Sequence, residues 1–394
     1  MIINSIEAKK FSLNGKKSIR LILKTSNSKL ESCLSLYNNS LYKEEQLEND
    51  IRFINNTFNG KIKSLEINSL DDLKKIESII KSHEQKILRK TLYLIESTII
   101  KAVSKNEFWS FLDKSTKMIP RPLGVIVGNS EIKRCSDFRQ LLLFSLENND
   151  FRKGMDANLR VHELLEREIK KYDKSFRGEI NLQGALVPDI NNFDLLDLLS
   201  RICRQVSDEF KFNIRIGINF DADSLYNEEA KLYHYKNYSS SEKEKSFKRK
   251  EQLDYIIGLV DRYNLSYIED PLEKNDFKGY TELKKKLNCL IIGNKLIGSK
   301  LDSLNKAIKQ KCVSAVILRL NDLGSLTEAN EFIESCKKNN IRVILETADY
   351  ETEENFIVHF CIAFKIPVIK YGIYKKDRDK LNEILKIEQL MKNK

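Results

Sequence analysis

The sequence predicts an α/β protein in which a small N-terminal α+β domain precedes a C-terminal (β/α)8 barrel. Short apolar runs alternate with stretches of helical periodicity through the second half of the chain, which is typical of a parallel sheet buried on both faces. A polar residue ends each run, and the last five of these residues recur every 24 to 27 positions. The 394 residues also exceed by more than a hundred the roughly 250 of a lone barrel, which leaves room for a second domain.

The six residues that end the apolar runs define a candidate site. Chemistry in a (β/α) barrel lies at the carboxyl ends of the strands, because side chains there point into one shared pocket. We therefore expect one site that contains all six. The competing interpretation is that each residue is polar only because its strand ends in solvent. The six residues are Asn219, Glu269, Asn294, Arg319, Glu346 and Lys370.

Helices are predicted after the last five runs, because apolar residues recur there at helical spacing. Each helix would join one strand to the next on the outside of the barrel. The predicted helices span residues 277–287, 301–308, 326–336, 351–364 and 377–390.

The first 118 residues differ in kind from the rest of the chain. Two strand-like runs, residues 2–11 and 18–24, are followed by a polar turn region and then by helical periodicity over residues 70–112. The segment 120–124 holds two of the five prolines, which is typical of a domain boundary. The sequence therefore predicts a capping domain of residues 1–118 and a barrel domain of residues 119–394.

Membrane and secretion signals are not apparent in the sequence. No apolar run approaches the ~20 residues that cross a bilayer, and the N-terminus lacks the apolar segment of a signal peptide. We therefore expect a cytoplasmic protein without a membrane partner. The seven cysteines are dispersed and form no CxxC pair, which indicates reduced core residues.

The formal net charge of +11 raises the alternative of nucleic-acid binding. The densest basic stretch is KEKSFKRK, from Lys243 to Lys250. Lysine is also spread along nearly every predicted helix, so a solvated loop is the simpler interpretation of this stretch. Binding through phosphate contacts would weaken steeply with added salt, which distinguishes the two.

Ordered motifs along the whole chain resemble the enolase family. Three of them overlap the ends of predicted strands: SYIEDPL at 266–272, IIGNKL at 291–296 and LRLNDLGSLTE at 318–328. Weaker matches lie at residues 6–15, 122–124, 351–357, 369–372 and 380–388. The resemblance implies a capping domain, a TIM-like barrel with an irregular ββαα start, and a homodimer. It also implies the interconversion of 2-phosphoglycerate and phosphoenolpyruvate, in which a lysine base and magnesium stabilise the enolate-like intermediate.

The positions that match the family's magnesium ligands have lost charge. The family supplies Asp, Glu and Asp, and the matching residues here are Asn219, Glu269 and Asn294. Magnesium is a hard cation that prefers anionic oxygen ligands, so we expect magnesium binding to be lost or weak. An amide oxygen can still coordinate a metal ion, which leaves weak binding open.

The positions that match the family's proton-transfer groups have also changed. The base corresponds to Arg319, whose guanidinium has a pKa above ~12 and cannot release its proton at neutral pH. The two acids correspond to Gln183 and Gln140, which are isosteric with glutamate but cannot shuttle protons. The second lysine of the family is retained as Lys370.

The substrate-binding positions are likewise altered. The family's phosphate-binding run matches Thr347, Ala348 and Asp349, and Lys370 completes the set. An arginine that binds phosphate is here Ala348, while Asp349 adds negative charge where an anion would bind. The segment 36–40, which matches the mobile loop of the family, has no glycine.

Two hypotheses follow from these substitutions. The first is that a cation, either Lys295 or Arg319, takes the vacated metal position and pairs with Glu269, since a buried carboxylate without a partner is costly. The second is that the chain is an enolase-like protein that has lost magnesium-dependent dehydration and serves as a binding, regulatory or scaffold protein, with a protein partner or a small acid as ligand. The alternative is a residual carbon–oxygen lyase, either a weak phosphopyruvate hydratase or a related acid dehydratase.

Overall fold

The computed structural model describes residues 1–13, 16–35, 44–82, 87–130, 136–145, 150–347, 355–373 and 377–393. It divides into two compact units. The cap unit contains Met1–Met118, Arg319–Ser335 and the described part of Ala348–Lys365. The barrel unit contains the described parts of Ile119–Leu318, Cys336–Thr347 and Ile366–Lys394.

The cap unit begins with a three-stranded antiparallel sheet. Strands β1 (Ile3–Leu13), β2 (Lys16–Thr25) and β3 (Lys29–Ser35) are paired in chain order. The first two were predicted from their apolar content, whereas β3 falls in a region predicted as polar turns. The composition of β3 gives no strand signal, and its backbone hydrogen bonds come from pairing with β2.

Helices follow the sheet, and they begin earlier in the chain than predicted. The prediction of polar turns is wrong for residues 44–62, because Ile54, Phe58 and Ile62 recur at a spacing of four and are fully buried. The helices are α1 (Glu44–Phe53), a π-helical turn (Ile54–Phe58), α2 (Asn59–Ile62), α3 (Leu73–Lys81), α4 (Arg89–Val103) and α5 (Phe108–Phe111).

The barrel unit is built around eight strands that close on themselves. The strands are β4 (Arg121–Gly128), β5 (Gln140–Ser145), β6 (Ile214–Asn219), β10 (Tyr267–Glu269), β11 (Leu290–Gly293), β12 (Ala315–Leu318), β13 (Arg342–Glu346) and β14 (Val368–Gly372). A separate small sheet contains β7 (Tyr226–Asn227), β8 (Leu232–Tyr235) and β9 (Lys245–Lys248).

Nine α-helices follow β5 in the described chain, besides a 3-10 helical turn at Ala222–Ser224. They are α6 (Phe151–Tyr172), α7 (Asn192–Phe210), α8 (Arg249–Tyr263), α9 (Phe277–Lys286), α10 (Leu301–Gln310), α11 (Leu320–Leu323), α12 (Leu326–Lys338), α13 (Phe356–Ala363) and α14 (Arg378–Lys392). The five helices predicted from periodicity are all among them, although residues 351–354 lie outside the described chain.

The barrel strands are ordered β10-β11-β12-β13-β14-β4-β5-β6. All neighbours are parallel except that β5 runs antiparallel to both β4 and β6. The barrel therefore starts with two strands and two helices before alternation begins, which is the irregular ββαα start that the resemblance implied. The predicted α/β fold, with an N-terminal sheet and a barrel, is confirmed. The core of the barrel includes Leu142, Phe144, Tyr267, Ile292 and Ile317.

The basic stretch from Lys243 to Lys250 is mostly regular structure. The prediction of a loop is wrong for six of its eight residues, because Lys245–Lys248 form β9 and Arg249 begins α8, although most of its side chains are exposed as predicted. Phe247 is buried, as expected for one face of a two-residue repeat. The Arg249 guanidinium donates to the carboxylates of Asp276 and Glu282, so part of the positive charge of this stretch is neutralised locally.

None of the helices in the described ranges combines the length and the apolar content needed to span a membrane. The six described cysteines are free thiols, and four of them are buried.

Candidate active site at the carboxyl end of the barrel

Strand register brings several of the predicted residues to one rim of the barrel. Glu269 and Asn219 are paired at the ends of β10 and β6, and Glu346 is paired with Lys370. Gln140 pairs with Asn219 because β5 runs antiparallel, so the first residue of β5 lies at the rim where its neighbours end. The pairing of neighbouring strands therefore brings five side chains that are far apart in sequence to one rim of the barrel.

Glu269 is the centre of this cluster and is fully buried. Its Oε1 accepts hydrogen bonds from Asn219 Nδ2 at 3.0 Å and from Asn294 Nδ2 at 2.8 Å. Its Oε2 accepts from Lys370 Nζ at 2.8 Å and from the Tyr267 hydroxyl. An ionised carboxylate has about four acceptor sites. All of the acceptor sites of Glu269 are thus occupied by protein donors.

The amide of Asn219 is held in one orientation. Its Oδ1 accepts the backbone N–H of Asp221 at 3.1 Å, so its Nδ2 is left to donate to Glu269 and to Gln140 Oε1, the latter at 3.1 Å. Gln140 in turn donates through Nε2 to Gln183 Oε1 at 2.8 Å. The three amides form a hydrogen-bonded chain in which each one donates to the carbonyl oxygen of the next. None of them can transfer a proton as a carboxyl does.

Lys370 reaches across the barrel to Glu269. It is fully buried, and its ammonium lies 2.8 Å from Glu269 and 2.9 Å from Glu346. Burial alone lowers the pKa of this lysine, but the two carboxylates outweigh it and raise the pKa above its usual value. Lys370 is therefore a fixed cation at neutral pH.

The hypothesis that Lys295 or Arg319 pairs with Glu269 is wrong, since Lys370 fills that role. The ammonium of Lys295 contacts the Asp221 carboxylate instead. Arg319 directly follows β12 and lies in the cap unit, with its guanidinium 3.9 Å from Asp322.

Asp270 and Tyr267 support the site, and sequence reasoning gave neither a role there. Asp270 accepts the backbone N–H groups of Asn294 at 2.8 Å and Lys295 at 3.0 Å, which fixes the end of β11 beside Glu269. Burial raises the pKa of Asp270 to about 7. Burial and the charge of Glu269 raise the pKa of Tyr267, so its hydroxyl remains a donor. Tyr267 precedes Glu269 by two residues, and strand alternation could have placed both on one face.

Among the predicted substrate-binding residues, Thr347 is engaged within the protein. Its hydroxyl donates to Asp377 Oδ2 at 3.0 Å, and the same oxygen accepts the backbone N–H of Gly372 at 2.7 Å. A Cβ at Gly372 would overlap the carbonyl oxygen of Gln183, so this glycine lets the Gln183 loop approach β14. Ala348 and Asp349 lie outside the described residues, as does the segment 36–40.

The arrangement around Glu269 does not fit a magnesium ion. Magnesium requires oxygen acceptors in near-octahedral geometry, whereas the side chains that face Glu269 present N–H and O–H donors. Within the described ranges, no group of three or more acidic, histidine or cysteine side chains is arranged to hold a metal ion.

The closed barrel and its buried polar rim define the class to which the chain belongs, the β/α-barrel proteins whose sites lie at the carboxyl ends of the strands. Residues 116–394 match the family described as "Enolase, C-terminal TIM barrel domain". The chain therefore belongs to the enolase family.

Several proteins named Enolase are similar to this chain. That of Methanosphaera stadtmanae is 30% identical over 280 residues, which cover 70% of this chain and 66% of the relative. That of Archaeoglobus fulgidus is 29% identical over 277 residues, covering 70% and 67%. That of Methanothermobacter thermautotrophicus is 28% identical over 276 residues, covering 69% and 65%. The chain thus spans slightly less than two thirds of the length of the Methanosphaera relative.

Proposed function

We propose that this chain is a member of the enolase family that has lost magnesium-dependent dehydration and acts as a binding, regulatory or scaffold protein. The observation that carries the proposal is the saturation of the Glu269 carboxylate by four protein donors. A metal ion could bind this carboxylate only after displacing hydrogen bonds to a charged group, each worth about 1.5–3 kcal/mol.

The protonation states of the cluster also favour this proposal. Abstraction of a carbon-bound hydrogen requires a group that can accept a proton near neutral pH. The two carboxylates keep Lys370 protonated, and a guanidinium such as Arg319 cannot lose its proton. Gln140 and Gln183 offer amides joined to one another. Loss of several such groups lowers the reaction rate many-fold. Each tenfold loss of rate corresponds to about 1.4 kcal/mol of activation free energy.

Phosphoenolpyruvate formation from 2-phosphoglycerate under saturating magnesium tests the proposal. We expect no turnover above that of an E269Q variant prepared in the same way, which controls for contaminating host enzyme. Magnesium-dependent turnover that E269Q abolishes would instead establish the alternative, a residual carbon–oxygen lyase.

Magnesium binding is measured separately by calorimetry on the same protein. We expect no saturable heat in the millimolar range, because the donors around Glu269 repel a cation. Saturable binding that is lost in E269Q would contradict the metal-free interpretation, whatever the outcome of the activity assay.

Assembly and location complete the proposal. We propose a homodimer in the cytoplasm, as the family resemblance implies. Light scattering on the purified protein tests the first, and fractionation of the source cells tests the second.

A further inference from the structure

A second cleft lies at the opposite end of the barrel from Glu269. It has a volume of about 780 Å³ and lies beside α7, the start of β6 and the end of α8. Its wall includes Ile214 and Arg215 at the beginning of β6, whereas Asn219 at the end of that strand belongs to the Glu269 cluster. At about 3.3 Å per strand residue, the two sites are roughly 15 Å apart along β6. The cleft is therefore separate from the candidate active site.

The wall of the cleft is positively charged. Four arginines and two aspartates line it. Arg201 and Arg262 are engaged with acids, since Arg201 donates to Glu168 at 3.2 Å and Arg262 donates to both oxygens of Asp197 at 3.0 Å. These two arginines therefore have structural roles and are largely neutralised.

Arg204 and Arg215 are different. Neither guanidinium forms an ion pair or hydrogen bond with the part of the chain that the structure describes. Arg204 is exposed on α7, while Arg215 is half-buried. A guanidinium that is partly withdrawn from water without an acceptor loses hydration and gains nothing in return. An anion in the cleft would supply the missing acceptors to Arg215 and would pair with the exposed guanidinium of Arg204.

A purely structural role explains Arg204 poorly. Basic residues stabilise helices from within the last turn, where they interact with the helix dipole. Arg204 lies six residues before the end of α7 at Phe210, which is outside that turn. Asp208 follows Arg204 by four residues, a spacing that permits an ion pair on a helix. Asp208 nevertheless makes no ion pair or hydrogen bond with the described chain.

We propose that this cleft binds a small organic anion that carries a phosphate or carboxylate group. The planar donor fork of arginine matches both groups, and Arg204 and Arg215 are the residues that hold the anion. The cleft volume falls within the roughly 300–1,000 Å³ of small-molecule sites. Tyr172, whose surface is 51% exposed, and Tyr263 provide apolar surface for the organic part.

Calorimetric titration of the full chain with pyrophosphate, and separately with citrate, tests this site. We expect saturable binding of at least one probe in low salt, and the probe that binds identifies the group recognised. Replacing each arginine by glutamine removes charge-assisted hydrogen bonds, and we expect about tenfold weaker binding for R204Q and for R215Q. D208N removes the opposing negative charge and should bind more tightly than the unmodified protein.

The control variant is K285Q/K309Q. It removes two exposed lysines from α9 and α10 that form no ion pair in the described chain, so it matches the charge lost in R204Q/R215Q. Unchanged affinity in this control would exclude a general effect of net charge.

Arg204 is exposed, so R204Q should fold normally even if R215Q does not, and thermal unfolding without ligand checks both. The proposal is overturned if neither probe binds at millimolar concentration. Equal affinity in R204Q/R215Q and the unmodified protein would overturn it as well. Because the readout is binding at the cleft, it does not depend on whether the Glu269 site is active.

Discussion

Replacement of Lys370 by methionine removes the cation that connects β14 to β10 through the barrel interior. Methionine has a similar length, so the substitution leaves no large cavity, but Glu269 and Glu346 are then buried without the ammonium that contacts both. Removing one partner of a buried ion pair costs about 3–5 kcal/mol. Because Glu269 keeps its hydrogen bonds from Asn219, Asn294 and Tyr267, we expect the lower half of that range.

The loss should appear as a melting temperature lowered by roughly 10 °C, at about 2–4 °C for each kcal/mol in a unit of this size. Urea unfolding followed by far-ultraviolet circular dichroism gives the free energy directly.

Two further variants make this prediction specific. K309M removes an exposed lysine of α10 that has no ion pair in the described chain, and such surface changes stay within about 0.5 kcal/mol. K370M/E346Q removes one of the two stranded charges and should regain part of the loss. A K370M protein within about 1 kcal/mol of the unmodified one at neutral pH would refute the reasoning that this lysine offsets two buried charges.

Two other substitutions give distinct outcomes. N219D/N294D replaces the two amides that donate to Glu269 by carboxylates. We expect lower stability without metal and a melting temperature that rises with added magnesium. Scanning calorimetry would detect both changes. The carboxyl of Asp50 is buried and accepts a hydrogen bond from the Thr91 hydroxyl, and burial raises its pKa from 3.8 to about 6. The folded state therefore binds a proton that the unfolded state releases, so stability should fall by roughly 2 kcal/mol as the pH rises from 4 to 6. D50N should flatten that dependence in urea titrations.

Each of these variants has a control. N305D adds a carboxylate on an exposed position of α10 and should give no magnesium-dependent shift; a shift of equal size there would show that magnesium acts on surface charge. For Asp50, an unchanged pH dependence in D50N would assign the effect to other carboxyls.

Much of the fold was predictable because its signals are local. The apolar runs that precede Glu269 and Lys370 belong to strands buried on both faces, which require that composition. The edge elements lack such a signal. Residues 44–62 carry their apolar positions among asparagines and glutamates, and β3 depends on hydrogen bonds to β2 rather than on its own composition.

The site was predictable in its members but not in its pairing. Spacing along the chain placed Glu269, Asn219 and Lys370 at strand ends, yet it could not decide which cation meets Glu269. Lys370 lies within β14 and shares the interior of the barrel with Glu269. Lys295 follows β11 and meets Asp221 instead. The spacing of polar residues along the chain does not show which of these lysines lies inside a strand and which lies beyond the end of one.

The counter-ion of Glu269 is covalently attached to the opposite wall of the barrel. A diffusing ion leaves its site whenever its concentration falls below its dissociation constant, whereas a tethered group keeps the same high effective concentration at any dilution. The ion pair between Glu269 and Lys370 is therefore indifferent to chelators and to scarcity of divalent ions. The Lys370 ammonium is also permanent, because a charge carried by the chain cannot be exchanged for another ion to start a reaction cycle.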